Sequence, residues 1–173
     1  MDLFLIFERV WDLVKAPIDF PQMFWILTPL LLNLLLMEFY FARYKREELG
    51  WNTAFGNSLV LVFVSIDLIR HQVSSLTFNF FDLRFLLLVS VIFIGALLTL
   101  LDFFHILPKS LAFVVSSKFP INSIMLLLII LTYSLIPLDS TTLIASLIFL
   151  ILFYFLLEVV WILIPESEDS DEN

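Results

Sequence analysis

Four carboxylates, Glu38, Asp67, Asp102 and Glu158, fall inside or at the edge of long apolar runs. Two histidines accompany them: His105 three residues after Asp102, and His71 four after Asp67. A carboxylate beside an imidazole can pass a proton or hold a metal ion. A charge in hydrocarbon is costly, so acids within apolar runs are functional candidates by default. On a helix, Asp102 and His105 share a face. With Glu38 and Glu158 they form a candidate polar cluster. Asp67, Arg70 and His71 form a second group, in which the acid can pair with either base and close a helix end.

Each group also has a purely structural reading. Acids near a membrane surface pair with neighbouring bases, or bond to backbone and water, and so fix helix depth and register. Depth favours that reading. At 1.5 Å per residue the four acids lie roughly 8–11 Å from the midpoints of their runs, in the outer third of a hydrocarbon layer about 30 Å thick. Glu158 also sits between Tyr154 and Trp161, an aromatic pair suited to the membrane interface.

The runs themselves must be helices. The chain has 173 residues, 61% of them hydrophobic, including twenty Phe. Mean hydropathy is +1.05. A small soluble core cannot hide that much apolar surface. The runs are continuous, not alternating, so a β-barrel is excluded, and open strands would leave backbone groups unpaired in lipid. The expected fold is all-α, a multi-pass integral membrane protein with five spans at about 22–42, 53–69, 85–105, 120–136 and 141–164. Pro29 should kink the first span without breaking it. Asp139 or Ser140 can cap the fifth. Small pairs at four-residue spacing, Ala54/Ser58, Gly95/Thr99 and Thr142/Ser146, mark close helix contacts, and Asn33 at mid-span should bond between helices.

Two stretches are neither span nor simple loop. Residues 1–16 read as an interfacial amphipathic helix, with Leu3, Phe4, Phe7, Val10, Trp11 and Val14 on one face and Asp2, Glu8, Arg9, Asp12 and Lys15 on the other. A short soluble helix packed on the bundle end is the alternative. It is not a signal peptide, because charges interrupt it and no small-residue cleavage site follows. Residues 109–119 are too short to span and read as a surface helix or a shallow re-entrant piece.

Net charge is −8, unevenly placed. The end, 165–173, carries five of the seventeen acids and no base, and reads as a disordered acidic tail. The remainder has nine bases against twelve acids. No clustered basic footprint suggests nucleic acid. There is no Cys, hence no thiolate site or disulfide. No phosphate-binding, zinc-protease or serine-hydrolase motif occurs. With five spans, His71 and His105 fall on opposite sides and cannot share a metal, so no metal or cofactor is expected. The Arg43, Lys45, Arg46 group favours its side as cytoplasmic, giving an outward N-terminus and an inward C-terminus in a cell membrane.

The leading functional expectation is a non-catalytic structural or accessory subunit of a membrane assembly, in contact with lipid and with a membrane-protein partner or further copies of itself. The alternatives are an oligomeric transporter or channel component with the acidic cluster at its mouth, and a membrane-embedded enzyme.

Overall fold

The computed structural model describes residues 3–44 and 50–164. The acidic tail and the charged stretch 45–49, with Lys45 and Arg46, lie outside the described residues. Among the described residues seven helices follow one another: α1 (Leu3–Asp19), α2 (Phe24–Arg43), α3 (Trp51–Ser74), α4 (Leu83–Phe103), α5 (Lys109–Val115), α6 (Lys118–Ser134) and α7 (Ser140–Leu163). A 3-10 turn at Pro21–Met23 joins α1 to α2. Among the described residues five segments are long and apolar enough to cross a membrane: Pro21–Arg43, Trp51–Ser74, Leu83–Phe103, Lys109–Ser134 and Ser140–Val159. The chain is an all-helical, multi-pass membrane protein with an N-terminal helix.

The helix α6 is the axis of the bundle. Ile121, Met125, Ile129 and Ile130 are fully enclosed, with α1, α2 and α3 packed around them. The helices α4 and α7 lie at the edges. α4 packs chiefly on α3, and α7 on α1 and α2. Both expose rows of Leu, Ile and Phe, such as Phe93, Leu97 and Leu100 on α4. In water such rows would be an aggregation hazard; against acyl chains they are the expected surface.

Helix α1 presents three sides, not two. Ile6, Leu13 and Ala16 are buried against the bundle. Leu3, Phe4, Phe7, Trp11 and Ile18 are exposed and apolar, while Asp12 and Lys15 form an ion pair on the third side. A helix with one side on protein, one fit for lipid and one fit for water suits the membrane interface. The helix packs on the bundle, chiefly against α7 and α6, and it runs three residues past the expected end, through Pro17, to Asp19.

The ends of the helices are set by local chemistry. Asp139 caps α7, accepting the Thr142 N–H at 2.8 Å. Arg84 reaches from the start of α4 to the carbonyls of Leu131 and Ile136 and so holds the end of α6. α3 runs to Ser74, five residues past the apolar run, because Arg70 and Gln72 end a hydropathy window without ending a helix. The ends of α3 and α4 share one motif. Leu76 and His105 each adopt a left-handed backbone, with φ of 57° and 52°. Paired bonds then close each terminus: Thr77 N–H to Gln72 and Leu76 N–H to Val73 in α3, Ile106 N–H to Leu101 and His105 N–H to Asp102 in α4.

Helix α2 runs unbroken through Pro29. The piece 109–119 resolves into the seven-residue α5 and the start of α6, separated by an extended Ser117 with ψ of 160°. Pro120 accounts for this break. It lies in the first turn of α6, where a missing N–H costs nothing, whereas in a continuous helix it would deprive the Ser116 carbonyl of its donor.

Candidate functional site

The break at 116–118 supplies a partner to each of the two most deeply buried acids. Ser116 at the end of α5 is fully buried. Its hydroxyl donates to Asp102 Oδ2 at 2.7 Å, and Ser58 of α3 donates to the same oxygen at 2.8 Å. The two hydroxyls lie 3.0 Å apart. Asn57 donates its amide to the Ser116 carbonyl at 2.9 Å, the carbonyl that Pro120 leaves without an in-helix donor. Three elements, α3, α4 and α5, thus meet at Asp102, which is 1% exposed. Its second oxygen, Oδ1, is buried without a hydrogen-bond partner among the described residues.

Gly95 permits this meeting. A Cβ there would stand 2.7 Å from Leu61 Cβ and 3.3 Å from the Ser58 carbonyl. The small pairs Ala54/Ser58 and Gly95/Thr99 therefore mark a real close approach of α3 and α4, with Ala54, Ser58 and Gly95 buried in it.

Two residues past Ser116, Lys118 serves the other acid. Its ammonium is 3.0 Å from Glu38 Oε2, donates to the Met37 carbonyl at 3.1 Å, and lies 4.5 Å from the centre of the Phe41 ring. Glu38 and Lys118 are both shielded, with side chains 5% and 14% exposed. This pair ties α2 to α6.

The remaining members of the expected cluster are placed differently. His105 lies beyond the end of α4, which stops at Phe103, and its left-handed backbone turns it off the helix face it was expected to share with Asp102. Its ring stacks on Trp51 at 4.3 Å. The Asp102 carboxylate and the His105 imidazole do not bond to each other among the described residues. Glu158 is half-buried on α7, one turn after Tyr154. At the opposite membrane end, Arg70 donates through Nε (2.8 Å) and Nη2 to Asp67 Oδ1, as the spacing predicts. His71 instead stacks on Tyr133 of α6, with ring centres 3.8 Å apart.

The sequence reading did not single out Lys118, Ser116 or Asn57. The available signal was the polar Ser116-Ser117-Lys118 run just before Pro120, in a stretch already recognised as too short to span. Asn33, expected between helices, is exposed on α2 and has no hydrogen bond among the described residues. Thr99 bonds to the Gly95 carbonyl of its own helix at 2.7 Å, so these two mid-span polar groups do not join into a path. No group of three or more His, Cys, Asp or Glu able to hold a metal occurs among the described residues.

Compared with family models, curated proteins and solved structures, the chain matches none, so its own residues carry the functional reading.

Proposed function

We propose that the protein is a non-catalytic structural or accessory subunit of a membrane assembly. Asn33 is the observation that carries this reading. It stands at the middle of α2, faces outward and has no hydrogen-bond partner among the described residues. An amide at mid-membrane gains little from acyl chains and much from a polar group on a neighbouring helix. The buried acids support the same reading, since Glu38 and Asp102 hold helices together. Affinity purification in mild detergent tests it. A membrane-protein partner or a second copy should be retained, and Asn33→Leu should reduce its recovery. A lone monomer for both forms would count against the proposal.

One observation favours a second reading, as an ion-transporting element: the unbonded Oδ1 of Asp102. Flux through proteoliposomes that Asp102→Asn or Glu38→Gln abolishes would promote it, and absence of flux in the wild type removes it.

The basic residues at the α2 end support a cytoplasmic location for that side of a cell membrane, with the C-terminus inside and the N-terminus out. A C-terminal tag protected from protease in intact cells agrees with this orientation, and a cleaved one reverses it.

A further inference from the structure

A cleft of about 570 Å³ opens between α2, α3 and α6 at the membrane end opposite to Asp102. Its size lies within the ~300–1,000 Å³ of ordinary small-ligand sites. Its polarity is graded along its length. Gln22, Arg70 and His71 line the outer end, and Pro29 and Phe63 the inner end. From Arg70 to Phe63 the groove runs about 10 Å along α3, at the helical rise. The groove is open along its flank: Phe63 at the inner end is 65% exposed, and Trp25, one turn nearer the outer end than Pro29, is 89% exposed. A polar end at the surface, an apolar end in the hydrocarbon and an open flank match the layout of a phospholipid headgroup with one acyl chain.

The ion pair at the outer end narrows the headgroup. Arg70 binds Asp67 through Nε and Nη2, both directed at Oδ1. Arg70 Nη1 and Asp67 Oδ2 therefore keep free edges among the described residues. The Arg70 side chain is 74% exposed and that of Asp67 33%. One free cationic edge beside one free anionic edge complements a zwitterion. The cation suits a phosphate and the carboxylate suits a hydrogen-bonding ammonium.

We infer that this cleft binds a zwitterionic aminophospholipid, with the phosphate on Arg70, a primary ammonium on Asp67 and an acyl chain along Trp25, Pro29 and Phe63. Phosphatidylethanolamine has the required groups. Phosphatidylcholine carries a quaternary ammonium that cannot donate to Asp67, and phosphatidylglycerol has no cation.

Trp25 gives a local readout. In a variant with Trp11, Trp51 and Trp161 replaced by Phe, Trp25 fluorescence is quenched by brominated lipid beside it. Reconstitution uses bilayers of unlabelled phosphatidylcholine with a minor fraction of brominated phosphatidylethanolamine, phosphatidylcholine or phosphatidylglycerol. The ethanolamine lipid should be enriched at Trp25 roughly fivefold over the choline lipid, the ratio one hydrogen bond sustains. Asp67→Leu, which leaves no acceptor for the ammonium, should abolish that preference, and Arg70→Gln should bring all three lipids to bulk level. Equal quenching by the ethanolamine and choline lipids in the Trp25-only protein overturns the inference, as does a preference for phosphatidylglycerol. Native mass spectrometry of the unsubstituted protein provides an independent arm. Phosphatidylethanolamine should remain bound after detergent exchange in preference to phosphatidylcholine, and indifference between the two again overturns the proposal.

Discussion

Glu38 and Asp102 are both buried acids near the same membrane end, and their partners differ. Glu38 is matched by a full opposite charge, the Lys118 ammonium at 3.0 Å. Asp102 is met by two neutral hydroxyls on a single oxygen, while its other oxygen has no hydrogen bond among the described residues. One site ties α2 to α6 with charge; the other ties α3, α4 and α5 with dipoles and close packing at Gly95. A buried ion pair is fragile to loss of either member, because the survivor is left charged and unmatched. A hydroxyl cluster depends on shape and acceptor count, and tolerates a neutral acceptor in place of a carboxylate.

The largest effect should come from breaking the charged site on one side only. Lys118→Met takes the ammonium away from the shielded Glu38 carboxylate and should cost about 3–5 kcal/mol, measured as unfolding free energy in bicelles. Replacing both, Glu38→Met with Lys118→Met, should recover most of that loss. Next, Gly95→Leu attacks the packed site. Its side chain would meet Leu61 and the Ser58 carbonyl, forcing α4 away from α3 at a cost of about 1–3 kcal/mol. Cysteine crosslinking between α3 and α4 should weaken in parallel.

Asn57→Ala should cost about 1–2 kcal/mol by stripping the Ser116 carbonyl of its donor. Pro120→Ala, which restores an in-helix N–H for that carbonyl, should offset part of the loss. Additive effects of the two changes, by the same measurement, would show that Asn57 does not substitute for the missing N–H.

The smallest effect is one of pH, at the other membrane end. The Thr142 N–H holds the Asp139 carboxyl below its ordinary value of 3.8; burial opposes this more weakly, and Arg9 adds to it. The folded form thus favours the ionised acid. Its contribution is complete above the ordinary value and is lost as pH falls through the lowered one. The thermal midpoint of the wild type should fall slightly more in strong acid than that of Asp139→Asn.

The sequence was most informative where physics is local. Apolar run length gave the five spans, side-chain chemistry gave the Asp139 cap, and i,i+3 spacing gave the Asp67–Arg70 bond. It was least informative where one residue changes the backbone course. The relation expected between Asp102 and His105 depended on the helix continuing two residues past Phe103, and a left-handed His105 ends it instead. The partners of both buried acids come from other helices, 80 positions away for Glu38–Lys118 and 44 for Asp102–Ser58. No local spacing encodes such pairs. Asn33 illustrates the same gap, since the side of α2 that faces outward depends on where α6 lies.

The most direct test sets the two acids side by side in one unfolding assay: Glu38→Gln, Lys118→Met, their double substitution, and Asp102→Asn. The double substitution should be far less damaging than the sum of the singles, with a coupling on the order of 1–3 kcal/mol. Asp102→Asn, whose amide oxygen can still accept from Ser58 and Ser116, should cost less than about 1 kcal/mol. Additive losses at Glu38 and Lys118, together with a large loss at Asp102→Asn, would contradict the account.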